Sequence, residues 1–161
     1  MLNWSDCKQQ SIKKLLSRYD VIIKHIDNDK EIPGSFWGDS EAGIIKNELW
    51  VRNDTPVHSL LHEVCHYICM DQQRRTDLDT DAGGDYDEEN GVCYLQILLA
   101  DRIDNYSSES TLSEMDEWGY SFRLGSAKAW FENDSDDAHN WLVSHNILTG
   151  DRHITFNLRG A

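Results

Sequence analysis

The sequence predicts an α+β fold, in which a small mixed or antiparallel sheet packs on one central helix and a mainly helical part follows. Two short apolar segments, VIIKHI at 21–26 and GIIKNELWV at 43–51, have the length and composition of β-strands. After residue 55 the apolar residues recur with helical spacing instead. Two short strands, together with the mainly helical part that follows them, favour the α+β class.

The elements follow one another in a simple order. Apolar residues at helical spacing predict a first helix over 5–18, and the two strands come next with a Pro-Gly turn between them. Thr55 followed by Pro56 is typical of a helix start, so we expect a helix from there to about residue 72. An acidic, glycine-containing connector leads to a strong helix over about 87–104.

The last third predicts two or three short helices and a small strand. The helices are expected to begin at Ser113, Ser126 and Ser135, and HITFNL at 153–158 to form the strand. Four aromatic side chains of this part are expected to pack inward: Trp118, Trp130, Phe131 and Trp141.

Length and charge limit the classes of function. A chain of 161 residues can bury a core as one domain, so we expect a single domain over 1–161, with the sheet and central helix in about 1–104 and the helical part in about 107–161. Lys and Arg number 15 against 29 Asp and Glu, which gives a net charge of −14. Such a surface repels phosphates, so neither nucleic acid nor a membrane is an expected partner.

The termini and cysteines indicate a compartment. The N-terminus lacks the apolar core of a secretory signal, and no apolar run reaches the roughly 18 residues that span a bilayer. Four cysteines are present, and in a reducing compartment they are expected to be thiols rather than disulfides. We therefore expect a cytoplasmic protein.

The helix at 56–72 divides into two faces when its residues are placed about 100° apart. One face is apolar and accounts for core packing: Leu60, Leu61, Val64, Tyr67 and Ile68. The other face carries histidine and cysteine: His58, His62, Cys65, His66 and Cys69. Cys65 and Cys69 are expected to be small buried residues beside the site, and His58 lies too far along the helix to share a ligand shell with His66.

His62 and His66 lie four residues apart, so their imidazoles project from adjacent turns and can bind one divalent ion. Glu63 lies beside them but cannot join the same pair of bonds, which leaves it free to act on a water molecule at the metal. Together they spell His-Glu-x-x-His, as HEVCH. The motif predicts Glu63 as the catalytic residue and His62 and His66 as metal ligands.

This helix, with HEVCH, the upstream strand GIIKNELWV and a following helix that opens with acids, resembles the zincin superfamily of zinc metallopeptidases. Residues 54–101 resemble small, largely uncharacterised bacterial zincin-like proteins. The metzincin branch is excluded, because Cys69 and Gln72 stand where its motif has glycine and a third histidine. The resemblance to the gluzincin-like branch implies one Zn²⁺ per chain, with a glutamate of the next helix as third ligand.

Two adjacent glutamates, Glu88 and Glu89, open that next helix. Glu88 points within about 30° of the helix's apolar face, which is centred near Val92, Leu95 and Leu99. Because the ligand must face the other helix across a packed interface, Glu88 is the preferred third ligand. Glu89 is the alternative, since helix starts are uncertain by a few residues.

The acidic connector allows a calcium interpretation as well. Residues 77–88 place acids or glycine at the ligand positions of an EF-hand loop, from Asp77 to Glu88, but Ala82 stands where the loop needs glycine. If Glu88 bound Ca²⁺ there, Glu89 would be the remaining zinc candidate.

The resemblance implies hydrolysis of peptide bonds, with Glu63 as general base and strand 43–51 as the edge along which a peptide or protein substrate pairs. Tyr120, Arg123 and His139 are candidate donors to the oxyanion. Two alternatives stay open: a zinc-binding protein without peptidase activity, and a helical protein in which HEVCH has no function.

Overall fold

The computed structural model describes residues 1–38 and 40–160. These residues form an α+β fold with a mainly helical C-terminal part, which confirms the predicted class. Its elements are α1 (Gln9–Ser17), β1 (Ile22–His25), β2 (Gly43–Ile45), β3 (Glu48–Val51), α2 (Val57–Cys69), α3 (Gln72–Asp77), α4 (Tyr86–Ala100), α5 (Ser108–Trp118), α6 (Ala127–Asn133) and α7 (Asp136–Ser144).

The sheet is small and mixed, with strand order β1-β3-β2. β1 runs parallel to β3, and β2 runs antiparallel to it. The segment 43–51, predicted as one strand, is therefore two strands joined by a tight turn. Lys46 takes a positive φ of 53° at that turn. No Asn-Gly or Asp-Gly pair announces the turn, because the sequence there is Lys46-Asn47.

The outer edge of β2 is closed by the chain itself. The Thr80 amide donates to the Ile44 carbonyl (2.9 Å), and the Lys46 amide donates to the Leu78 carbonyl (2.8 Å). On the same edge, the Ile44 amide donates to the Gly34 carbonyl (3.3 Å). The expectation that 43–51 offers an edge for an extended peptide is corrected, since β3 is central in the sheet and the backbone of β2 is already paired.

The central helix α2 begins later than predicted. Thr55 does not cap it, because its hydroxyl accepts a hydrogen bond from the Arg52 amide (2.9 Å), and Pro56 occupies the N-cap position. After α2 the chain forms the short helix α3, although the sequence predicts a connector there. Asp71 caps α3 by accepting a hydrogen bond from the Arg74 amide (2.9 Å).

One cluster of buried apolar residues runs from Trp4 to Leu148 and includes residues of both faces of α2. α4 lies at its centre and contacts α2, α5 and α7. Gly91 of α4 permits the approach of α7, because a Cβ there would meet the Trp141 ring at 2.8 Å. The site described below lies where α2 and α4 meet.

Details of the C-terminal part differ from the sequence predictions. α5 is capped by Ser107, whose side chain accepts from the Ser110 amide, and Ser113 lies inside that helix. Ser126 caps α6 as predicted. Trp118 is 41% exposed rather than packed inward, whereas Trp130 is buried. Within the described residues, 153–158 form a single bridge from Ile154 to Leu148 and no strand.

Within residues 1–38 and 40–160, none of the helices combines the length and the apolar character that crossing a bilayer requires.

Candidate metal centre

Three side chains bring their ligand atoms together where α2 faces the first turn of α4. The Nε2 atoms of His62 and His66 lie 3.1 Å apart. One carboxylate oxygen of Glu89 lies 3.3 Å from His62 Nε2, and the other lies 3.2 Å from His66 Nε2. Among the residues that the structure describes, this is the only group of His, Cys, Asp or Glu side chains placed to hold a metal ion.

The spacing of these atoms suits a tetrahedral ion. Ligands about 2.0–2.1 Å from a zinc ion stand about 3.3 Å from one another, which is close to the separations observed here. Two imidazole nitrogens and a carboxylate oxygen also form the donor set of many catalytic zinc sites. The three residues therefore fit a divalent metal, and one coordination position is left for water or substrate.

The helix that carries the two histidines is buried along most of its length. Between Val57 and Cys69 only His62 and Glu63 are partly exposed, while the other residues of α2 are buried. The predicted division of α2 into an apolar and a polar face is thus corrected: most of the histidine and cysteine face is also covered. Cys65 and Cys69 are fully buried, as expected, and so is His58.

Gln96 of α4 orients His62, and no sequence signal marked it. Its side-chain nitrogen donates to the His58 backbone carbonyl (2.9 Å), so its Oε1 faces His62 Nδ1, also at 2.9 Å. Nδ1 must then carry the hydrogen, which leaves Nε2 available to a metal. Gln96 is fully buried, and this removes competing hydrogen bonds from water.

Glu88, the preferred third ligand, points elsewhere. Its buried carboxylate accepts hydrogen bonds from Arg74 (2.8 and 2.7 Å) and from Arg159 (3.0 Å). Two arginines so placed neutralise the carboxylate and occupy its oxygens. The preference for Glu88 is therefore corrected, and the alternative, Glu89, is the acid that lies against the histidines.

The EF-hand interpretation of residues 77–88 has no geometric support. Glu88 faces the two arginines, and Asp85 caps α4 by accepting from the Glu88 amide (2.9 Å). Asp79 accepts from the Thr80 hydroxyl (2.7 Å), and Asp81 accepts from the Gly83 amide (3.0 Å). These carboxylates serve local hydrogen bonds and do not converge on one point.

In the metal-free protein, the ionisation of His62, His66 and Glu89 depends on burial and on their contacts with one another. Burial opposes the charge on His62, but the hydrogen bond that His62 donates to Glu89 and the nearby carboxylates raise the pKa of His62 above its usual value. Burial likewise opposes the charge on Glu89, yet its contact with His62 lowers the pKa of Glu89 to about 2. Burial, together with the charge on His62, lowers the pKa of His66 to about 4. Because metal ligands must be deprotonated, protons and a divalent cation would compete for these groups.

Glu63 lies on the wall of an open cleft of about 720 Å³ that also contains the three ligand residues. Burial raises the pKa of Glu63 to about 7. Glu63 lines the same cleft as the two histidines and does not belong to the group of candidate metal ligands. This is the arrangement expected of a residue that exchanges protons with a molecule bound in the cleft.

Of the three candidate oxyanion donors, only Tyr120 lines the cleft. Its ring packs edge-on against His62, with centroids 5.3 Å apart, and its hydroxyl lies 3.5 Å from His58 Nδ1. Arg123 instead pairs with Asp134 (3.1 Å), and His139 packs near the Tyr94 ring. Neither of the last two belongs to the site.

No protein-family model, curated protein or solved structure matches this chain. The resemblance to zincins is therefore an expectation from the sequence motif HEVCH alone.

Proposed function

We propose that this protein is a zinc-dependent metallopeptidase that holds one Zn²⁺ on His62, His66 and Glu89 and uses Glu63 as its general base. The observation that carries the proposal is the convergence of the three ligand groups inside an open cleft, with the Glu63 carboxylate on its wall. Zinc is favoured over magnesium and calcium because two of the three donors are imidazole nitrogens, whereas the harder ions prefer oxygen ligands.

The chemistry divides between the metal and the chain. A bound zinc ion supplies Lewis acidity, which polarises the scissile carbonyl and acidifies a water molecule. Glu63 accepts the proton of the attacking water and delivers it to the leaving amine. Gln96 holds the His62 ring in the orientation that binding requires. Tyr120 is the only one of the predicted oxyanion donors that lies within the cleft.

A zinc-binding protein without peptidase activity is the second candidate. The closed edge of β2 favours it, because the backbone pairing that would align an extended peptide is already made within the chain. A substrate must therefore be held by the side chains of the cleft rather than by a sheet edge.

Metal analysis and one substitution distinguish the two functions. Purified protein should bind one zinc per chain, and His62→Ala should abolish that binding. Glu63→Gln should keep the zinc and lose at least about 100-fold in turnover of a peptide substrate. A protein that binds no stoichiometric zinc would contradict both candidates. Zinc binding without hydrolysis of any peptide by the unaltered protein would support the second.

The proposed compartment is the cytoplasm. All four cysteines, Cys7, Cys65, Cys69 and Cys93, are free thiols, which suits a reducing environment. The net charge of −14 argues against nucleic acids and anionic membranes as partners, so a peptide or protein substrate is proposed.

A further inference from the structure

Exposed aromatic side chains are concentrated around the cleft. Seven large hydrophobic residues are exposed in the described part of the chain, and four of them line the cleft: Phe36, Trp37, Tyr86 and Trp118. Trp37 is 75% exposed, the highest value among them. Apolar surface of this kind is unfavourable in water unless a ligand covers it, so its grouping at one cleft indicates a binding surface.

The loop that carries Phe36 and Trp37 is attached to α2 by hydrogen bonds. The Glu41 carboxylate accepts hydrogen bonds from the Trp37 amide and from the Ser35 hydroxyl (3.0 Å). One residue later, the Ala42 amide donates to Ser59 Oγ (3.0 Å), on the turn of α2 before His62. The backbone at Trp37 is therefore held by Glu41, and the loop is attached to α2 through Ala42 and Ser59.

Apart from the proposed metal ion and its two histidines, the charged residues that line the cleft are all acids. Four acids line it, Glu41, Glu63, Asp81 and Glu89, and none of the described lining residues is Lys or Arg. Glu89 is proposed as a metal ligand, Glu63 as the base, and Glu41 is bonded to its own loop. Asp81 accepts one hydrogen bond from the Gly83 amide, but it is exposed and can still face a charge on the ligand.

We infer that the cleft recognises an extended polypeptide segment in which a large apolar or aromatic side chain stands next to a basic one. The exposed rings cover the apolar side chain, and Trp faces also attract cationic groups. Asp81 and the acidic lining favour Lys or Arg and repel Asp or Glu. A single-stranded nucleic acid would use the same rings, but its phosphates would meet acids where such ligands need a basic groove.

The inference rests on the proposed function only in assuming that the bound segment is then cleaved. Binding of the segment can be tested without cleavage. The test uses zinc-loaded Glu63→Gln protein and three fluorescein-labelled octapeptides of otherwise equal composition. One carries adjacent Phe and Lys, one adjacent Phe and Glu, and one adjacent Ala and Lys. Fluorescence anisotropy should show the Phe-Lys peptide binding at least about tenfold more tightly than either of the others, because it alone supplies both contacts.

Substitutions at the rim of the cleft, made in the same Glu63→Gln background, test the contribution of each residue to peptide binding. Trp37→Ala should weaken the Phe-Lys peptide about tenfold, with Leu124→Ala as the control, since Leu124 is 61% exposed but lies outside the cleft. Asp81→Asn should weaken it about threefold at low salt and less at high salt. Asp29→Asn, an exposed acid elsewhere, should change nothing. Zinc content is measured for every variant.

The outcomes separate the inference from the proposed function. Equal binding of the three peptides, or an equal effect of Trp37→Ala and Leu124→Ala, overturns the inference even if the unaltered protein cleaves peptides. Selective binding of the Phe-Lys peptide without cleavage by the unaltered protein supports the inference and contradicts the peptidase.

Discussion

Gln96 Oε1 lies 2.9 Å from His62 Nδ1, and this hydrogen bond fixes which nitrogen of His62 is available to a metal. The same glutamine is held by the His58 carbonyl, so its side chain cannot turn to present its amide nitrogen instead. Gln96 thus connects α4 to α2 at His62, one of the proposed metal ligands. Loss of this contact should affect metal binding before it affects the fold.

Gln96→Leu is expected to lower zinc affinity about 10- to 100-fold, the usual effect of removing a residue that orients a histidine ligand. Competition against a chromophoric chelator measures the affinity. Gln73→Leu, on the exposed surface of α3, is the control. An unchanged zinc affinity in Gln96→Leu would show that His62 needs no orientation from α4.

Glu88 and Glu89 are adjacent acids with opposite expected roles. Glu89→Gln should remove tight zinc binding and also lower the stability of the metal-free protein, because the charge that pairs with His62 and His66 is lost. Glu88→Gln should keep the zinc and lose about 2–3 kcal/mol of unfolding free energy, since two arginines lose their partner. This is below the about 3–5 kcal/mol of a fully buried pair because both arginines are partly exposed.

Urea denaturation in the presence of a chelator gives the two stabilities, and metal analysis gives the zinc content. Zinc retained by Glu89→Gln and lost by Glu88→Gln would reverse the assignment of the third ligand.

The pair also shows why helical spacing favoured Glu88, which faces two arginines, over Glu89, which lies against the histidines. The argument from helical faces assumes that α4 has one apolar side, but its neighbours α2, α5 and α7 cover it nearly all round. The direction of its apolar face then says little about which residue meets α2. The arginine that helps to bind Glu88 lies 71 residues later in the chain, and no local pattern connects the two.

Other parts of the site were predictable because they depend on local geometry. His62 and His66 converge because residues four apart share a helix face, whatever the rest of the chain does. Gln96 was not predicted, since a glutamine in an apolar helix has no motif. The turn at Lys46 was missed because a lysine rarely adopts a positive φ, and only the pairing of β2 with β3 imposes it.

Gly84 is expected to be intolerant of a side chain because of Glu88. It has a φ of 103°, and a Cβ there would lie 2.2 Å from Glu88 Oε2. Gly83 also has a positive φ, 62°, but a Cβ would meet nothing within 4 Å. Gly83→Ala should therefore cost about 1 kcal/mol from the backbone alone, and Gly84→Ala clearly more. Urea denaturation of both variants measures the difference, and equal losses would show that Glu88 moves aside freely.

His58 is expected to make the metal-free protein sensitive to acid. It is fully buried against Trp118 and Tyr120, its Nε2 has no hydrogen-bond partner among the described residues, and burial lowers its pKa to about 4. In the unfolded chain His58 has a pKa near 6.5. Between pH 6.5 and pH 4, His58 therefore binds a proton in the unfolded chain but not in the folded protein. Stability from this group is therefore complete above pH 6.5 and is lost as the pH falls toward 4.

When the pH falls from 7 to 5, the unfolding free energy of the unaltered protein should fall. The fall should be about 2 kcal/mol smaller in His58→Leu, because leucine has no proton to bind. Urea denaturation at several pH values, with a chelator present, measures this slope for the unaltered protein and the variant. His153→Leu is the control for the loss of a histidine from the surface. If the unfolding free energies of the unaltered protein and His58→Leu changed with pH in parallel, the pKa of His58 would not be lowered in the folded protein.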